Sequence, residues 1–207
     1  MSYWLCVTFI PVSGFGCGVF TPEGNLAIQI DHAIFGSFDD GTQYTWLLTS
    51  LAFAATVISG YFAGQILKRF NSADQKLKML IIIGVVLIIG GLLWSLQMPI
   101  IKKIWSCSMV LFSSGICFLL LALSFLLTDK FKLTGWWVTG FRIFGLNSIT
   151  AYMLHTTLGL GNISRTLFHG FKQYTGDFYP FILALGEFGI LFFIIHHMYK
   201  HKIFLKV

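Results

Sequence analysis

The stretch LKMLIIIGVVLIIGGLLWSL, Leu77–Leu96, holds one charged side chain, Lys78, beside its opening Leu77. As a helix it is about 30 Å long, the thickness of a bilayer's hydrocarbon core. Four more stretches are long and apolar enough for the same crossing: Tyr44–Leu67, Ser106–Thr128, Phe141–Leu160 and Phe178–Tyr199. Ahead of them, Met1–Pro11 is apolar and aromatic but reaches only about half of the ~20 residues that a spanning helix needs. The composition agrees. Hydrophobic residues make up 56% of the chain and charged residues 11%, against about 25% charged in ordinary soluble domains. No soluble core of this size hides five such stretches. The fold expected is all-α: a polytopic membrane helix bundle of five full spans plus a truncated first helix.

Residues 1–207 read as a single transmembrane domain, without internal repeat, low-complexity tract or boundary, and as the carboxyl-terminal half of a larger membrane domain. Met1–Gly18 lacks the basic start and small-residue cleavage site of a signal peptide. Between the second and third spans, or at the start of the third, lie Lys68, Arg69, Lys76 and Lys78. After the fourth come Lys130, Lys132 and Arg142, and after the sixth Lys200, Lys202 and Lys206. If the spans alternate, these share one side, which the positive-inside bias makes cytoplasmic, with both termini inside. The first loop, about Phe15 to Gln43, carries Glu23, Asp31, Asp39 and Asp40 and no Lys or Arg. The membrane expected is the plasma (inner) membrane, and the lipid bilayer is the first partner. No basic patch is interleaved with aromatics, so nucleic acid is not a partner.

The first loop is expected to be irregular, with Pro11, Pro22, Gly14, Gly16, Gly18 and Gly24, and must sit at the headgroups or over a water-filled cavity. On the second span Gly60 and Gly64 form a GxxxG, which lets another helix approach closely. Cys6, Cys17, Cys107 and Cys117 form no CxxC pair and read as packing residues, although Cys17 and Cys107 both fall near the outer face. His196, His197 and His201 read as interfacial anchors, and no metal site is expected.

Polar side chains within spans carry the functional reading, because lipid penalises them. They gather in the fifth span. Asn147, Ala151 and His155 stand at i, i+4 and i+8 on one helix face; Asn147 and His155 are separated by about 12 Å of rise and cannot pair directly. Such a face suits the lining of a passage, and equally suits interhelical hydrogen bonding. Arg142 suits a contact with phosphate headgroups. Glu187, in the sixth span, has no partner evident in the sequence and must face protein or water.

Several stretches resemble one family. Phe20-Thr21-Pro22-Glu23-Gly24-Asn25-Leu26-Ala27 with Ile30-Asp31-His32, the run Pro99-Ile100-Ile101-Lys102-Lys103-Ile104-Trp105-Ser106-Cys107-Ser108, Phe144-Gly145-Leu146-Asn147-Ser148-Ile149 with Tyr152, and the ending Lys202-Ile203-Phe204-Leu205-Lys206-Val207 are similar to the heparan-alpha-glucosaminide N-acetyltransferase family and its bacterial relatives. The motifs cover nearly the whole chain in order. One departs: many members carry a second Pro-Glu-Gly where this chain has Asp40-Gly41-Thr42-Gln43-Tyr44.

The resemblance implies transfer of an acetyl group from cytosolic acetyl-CoA, as co-substrate, to the amine of a glucosamine-type sugar on the outer side. It places the histidine central to that transfer before Met1, so the chain would need its amino-terminal half or a complementing subunit, with a homo-oligomer as a further possibility. Acyl transfer needs a proton acceptor for the amine and donors for the oxyanion. On this reading Asn147 positions the acyl group or oxyanion and His155 assists proton transfer. Glu23, Asn25, Asp31, Asp39 and Asp40 hold the sugar, and Lys68, Arg69, Lys130, Lys132 and Arg142 meet the CoA phosphates. The alternatives are a sugar or amino-sugar transporter component and an inert scaffold or truncated product.

Overall fold

The computed structural model describes residues 2–12, 14–21, 24–36 and 44–204. The described residues are mostly helical with no β-strand, only an isolated bridge between Val12 and Gly16. Among the described residues four helices are long and apolar enough to cross a membrane: Ser50–Arg69, Ala73–Trp94, Cys107–Lys130 and His169–Lys200. The chain groups into two compact units, Met1–Lys132 and Leu133–Val207.

In the first unit, α1 (Ser2–Phe9) and α2 (Leu26–Phe35) precede α3 (Ser50–Arg69), α4 (Ala73–Trp94) and α5 (Cys107–Phe125), which runs on through a π turn, Leu126–Lys130. The first loop is thus not irregular throughout. Gly14, Gly16 and Gly18 do take left-handed backbone conformations, with φ of 85°, 88° and 67°. Beyond them, however, the chain folds into α2, because Asn25 caps it: its Oδ1 accepts the N–H of Ala27 at 2.9 Å.

The close helix approach occurs elsewhere than the GxxxG of α3. A Cβ on Gly115 would stand 2.7 Å from the carbonyl of Gly84, and one on Gly91 would stand 2.7 Å from the backbone nitrogen of Phe112. Glycines at these positions let α4 and α5 pack backbone to backbone. Around Gly60 and Gly64 there is open space among the described residues. α3 instead meets α5 through a hydroxyl pair, Ser59 and Ser114, at 3.0 Å. Outward from these contacts the spans leave Val57, Phe62, Val86 and Leu93 more than half exposed, which a helix facing hydrocarbon requires.

The loop between α4 and α5 is closed by its own serines. Ser106 Oγ accepts the N–H groups of Ile101 (3.0 Å) and Met109 (3.3 Å), the second as the N-cap of α5. Ser108 Oγ donates to the carbonyls of Met98 (2.6 Å) and Pro99 (3.1 Å). Trp105, at φ 48°, donates its indole N–H to Thr56 of α3 at 3.1 Å, and the Tyr3 hydroxyl of α1 donates to the Ile104 carbonyl. Met98 and Ile104 are buried with Tyr3, Val7, Ala52 and Val110. This loop therefore ties α1, α3 and the ends of α4 and α5 into one core.

The second unit departs from the expected span count. Phe141–Leu160 is not one helix. It is α6 (Trp136–Leu146) and α7 (Ser148–Thr157), divided at Asn147, whose φ of −124° and ψ of 27° are not helical. The stretch Gly161–Asp177, which separates the last two apolar stretches, is largely helical: α8 (Leu160–Leu167), a 3₁₀ turn at His169–Phe171, α9 (Lys172–Thr175) and another turn lead into α10 (Tyr179–Lys200). α6, α7 and α8 all pack on α10. Phe144 of α6 stacks on Phe188 (5.6 Å between ring centroids) and lies 5.9 Å from Phe192. α8 approaches at Gly186, where a Cβ would run into the Phe168 ring, and Ser164 Oγ donates to the Leu183 carbonyl at 2.7 Å.

Candidate functional site

Two ionisable side chains of the second unit, His155 and Glu187, meet where α7, α8 and α10 pack. His155 lies in the last turn of α7 and Glu187 in the first half of α10. His155 Nδ1 stands 2.8 Å from Glu187 Oε1. The other carboxylate oxygen lies over the start of α8, where a Cβ on Gly161 would be 3.6 Å from Glu187 Oε2. The carboxylate thus stands beside the helix N-terminus, whose dipole favours negative charge. Gly159, in the left-handed region at φ 57°, turns the chain from α7, which carries His155, into α8.

The pair has a defined chemistry. A carboxylate that accepts from Nδ1–H fixes the imidazole tautomer and leaves Nε2 with a lone pair to accept a proton. The His155 side chain is 58% exposed and that of Glu187 26%, so the ring is accessible while its orienting partner is sheltered. Sequence spacing does not reveal this arrangement. Glu187 stands out as an unpartnered acid in a span, and the residue that answers it lies in a different helix, far earlier in the chain.

Asn147 does not join them. It is 1% exposed, and its Nδ2 donates to the Ile143 carbonyl at 3.3 Å. In an unbroken helix that carbonyl would take the N–H of Asn147 itself, which bonds instead to Phe144 at 3.2 Å. The side-chain amide replaces the backbone bond that the break removes. Asn147 Oδ1 and, three residues on, Thr150 Oγ1 are left buried without a hydrogen-bond partner among the described residues. The expectation that Asn147 and His155 share one continuous helix face is corrected by this break. Only Ala151 and His155 lie together on α7. Asn147 is enclosed beneath it.

Asn25 and Asp31, expected to hold a sugar, are both buried and engaged by backbone groups. Asn25 caps α2 and also donates to the Val19 carbonyl at 3.3 Å. Asp31 accepts the N–H of Trp46 at 2.5 Å and that of Leu47 at 3.1 Å, fixing the approach to α3. Glu23, Asp39 and Asp40 lie outside the described residues. Of the basic residues, Lys68, Arg69, Lys130 and Lys132 belong to the first unit and Arg142 to the second. Lys130 pairs with Asp74 at the start of α4 at 2.6 Å, and Lys76 stands over the Phe125 ring at 5.7 Å. The end of α5 and the connection from α3 to α4 therefore share one end of that unit. Lys68, Arg69 and Arg142 are exposed. All four cysteines are free thiols.

Neither a family model, nor a curated protein, nor a solved structure matches this chain. The chemistry of the site rests on its own geometry. Of the residues expected to act, that geometry gives His155 a partner and an open ring nitrogen.

Proposed function

We propose that this chain is part of a transmembrane acetyltransferase that passes an acetyl group from cytosolic acetyl-CoA to the amine of a glucosamine-type sugar on the outer side. The observation that carries the reading is the His155–Glu187 pair. A glucosammonium must lose a proton before its nitrogen can attack a thioester, and an imidazole oriented by a carboxylate is suited to take it. The tetrahedral oxyanion then needs a donor. Asn147 can serve only if the break at its position opens, since its amide is enclosed. The basic residues at the ends of the spans supply attraction for the CoA phosphates. On this reading the protein lies in the inner membrane with both termini cytoplasmic. α1 is a partial first crossing, and α6 with α7 forms a broken fifth.

The break at Asn147 favours a second reading. Discontinuous helices with unpaired polar groups commonly form substrate sites in secondary transporters, so an amino-sugar carrier is the competing function. One experiment separates the two. The complete protein, or this chain with a complementing amino-terminal segment, is placed in vesicles loaded with labelled acetyl-CoA, with glucosamine outside. N-acetylglucosamine outside that diminishes with His155→Gln supports the acetyltransferase. Entry of labelled glucosamine without acetyl-CoA, and no acetylated product with it, would transfer the assignment to transport.

A further inference from the structure

A cavity of about 390 Å³ lies in the first unit between α3 and α4, with Phe118 of α5 in its lining. Along α3 it runs from Ser59 to Arg69, and across from them stand Met79, Ile83 and Leu87 of α4. Ten residues of helix rise about 15 Å, half the ~30 Å hydrocarbon thickness of a bilayer and so the depth of one leaflet. The polar side chains along it are already satisfied within the protein. Ser59 bonds Ser114 and the Thr56 carbonyl, and Gln65 donates to the Tyr61 hydroxyl at 2.8 Å. Arg69 differs. It lines the cavity at the end where α3 finishes, and no carboxylate among the described residues pairs with it. An apolar slot one leaflet deep, with such a guanidinium at its membrane-surface end, matches one kind of molecule in charge and length.

We infer that the slot between α3 and α4 is a binding site for an anionic phospholipid, with its phosphate on Arg69 and one acyl chain along Phe62, Ile66, Ile83 and Leu87. Guanidinium geometry suits phosphate oxygens in a fork that a lysine cannot reproduce. The nearly polar-free lining suits a hydrocarbon chain and offers nothing to the amides of a pantetheine arm. The site goes beyond the proposed acetyl transfer and does not depend on it. It does take Arg69 from the set of cations considered for CoA.

The test uses the full chain in mild detergent, with retention of palmitoyl-oleoyl phosphatidylglycerol compared by native mass spectrometry with that of phosphatidylcholine bearing the same chains. Phosphatidylglycerol is expected to be retained roughly tenfold more, the size of one charge-assisted contact. Arg69→Gln should abolish that preference, and Arg69→Lys should leave only part of it. Ile83→Trp, which fills the slot, should release both lipids, and the two Arg69 variants keep the test decisive if that one does not fold. Equal retention of the two lipids by the unaltered chain would overturn the inference. So would a preference that survives Arg69→Gln, or displacement of phosphatidylglycerol by free CoA at matched concentration.

Discussion

Glu187→Gln keeps the volume of the side chain and removes its charge, leaving His155 with a neutral partner. If the pair served only to hold α7 against α10, the loss would be small. The His155 side chain is 58% exposed and that of Glu187 26%, so solvent screens the attraction, and a coupling of about 0.5–1 kcal/mol is expected. If His155 accepts the proton of the attacking amine, the loss appears in the rate. A positioned general base contributes roughly 10²–10⁴-fold, or about 3–5 kcal/mol of barrier. The two roles therefore differ several-fold in energy and can be separated in one cycle. His155→Gln, Glu187→Gln and the double variant would be measured for thermal unfolding in detergent and for acetyl transfer in vesicles containing the complete protein. Each single variant should lose at least about 100-fold in turnover, and the double variant little more than the worse single one, since residues acting as a unit are not additive. Unfolding should show only the small coupling. Turnover losses no larger than the stability losses would reduce the pair to an interhelical contact.

Three other outcomes follow from the packing. Asn147→Ala removes a buried oxygen that has no partner among the described residues and also the donor to Ile143; it should change stability by less than about 2 kcal/mol while depressing turnover more, and full activity would exclude Asn147 from the site. Asp31→Ala strips the acceptor from the Trp46 and Leu47 amides and should cost about 1–3 kcal/mol, the penalty of leaving amide donors without their partner. Hydrogen exchange at those two amides should quicken, and unchanged exchange would contradict the hydrogen bonds described. Gly115→Leu places a side chain where a Cβ alone would meet the Gly84 carbonyl at 2.7 Å; a loss of about 1–3 kcal/mol in detergent unfolding is expected, and an unaltered melting temperature would refute backbone contact between α4 and α5.

Length and hydropathy locate the long spans because both are properties of a whole window. Leu77–Leu96 falls on α4, Ser106 is the N-cap of α5, and Phe178 immediately precedes α10. The same averaging conceals the break in Phe141–Leu160. That window holds no proline, and its apolar content is that of a span, yet a single residue divides it. Gly145 and Asn147, two residues apart, are the available signal, but neither forces a break by itself. The GxxxG of α3 illustrates the converse. The motif is present, but whether Gly60 and Gly64 meet a helix depends on what lies opposite, and the close contact falls to Gly84, Gly91 and Gly115 instead. The His155–Glu187 pair is out of reach for a related reason. Periodicity relates residues within one helix, and this contact joins α7 to α10, two helices with α8 and α9 between them in the chain.

The break at Asn147 has an energetic implication that bears on mechanism. Two buried polar atoms without partners among the described residues, Asn147 Oδ1 and Thr150 Oγ1, cost roughly 1–3 kcal/mol each, and in a membrane no water inside the hydrocarbon relieves that cost. A leucine at position 147 would leave no orphaned amide. The chain instead carries a residue whose side chain makes the break tolerable, by capping the Ile143 carbonyl, without making it comfortable. Unsatisfied groups of this kind persist where the surrounding structure holds them, and they concentrate at sites that act. The break and the first turn of α7 thus hold two of the buried polar atoms left unpaired among the described residues of the second unit, Tyr179 Oη at the start of α10 being another. The break lies at the start of α7, the helix that carries His155, so the direction in which α7 leaves Asn147 sets where the imidazole stands against Glu187.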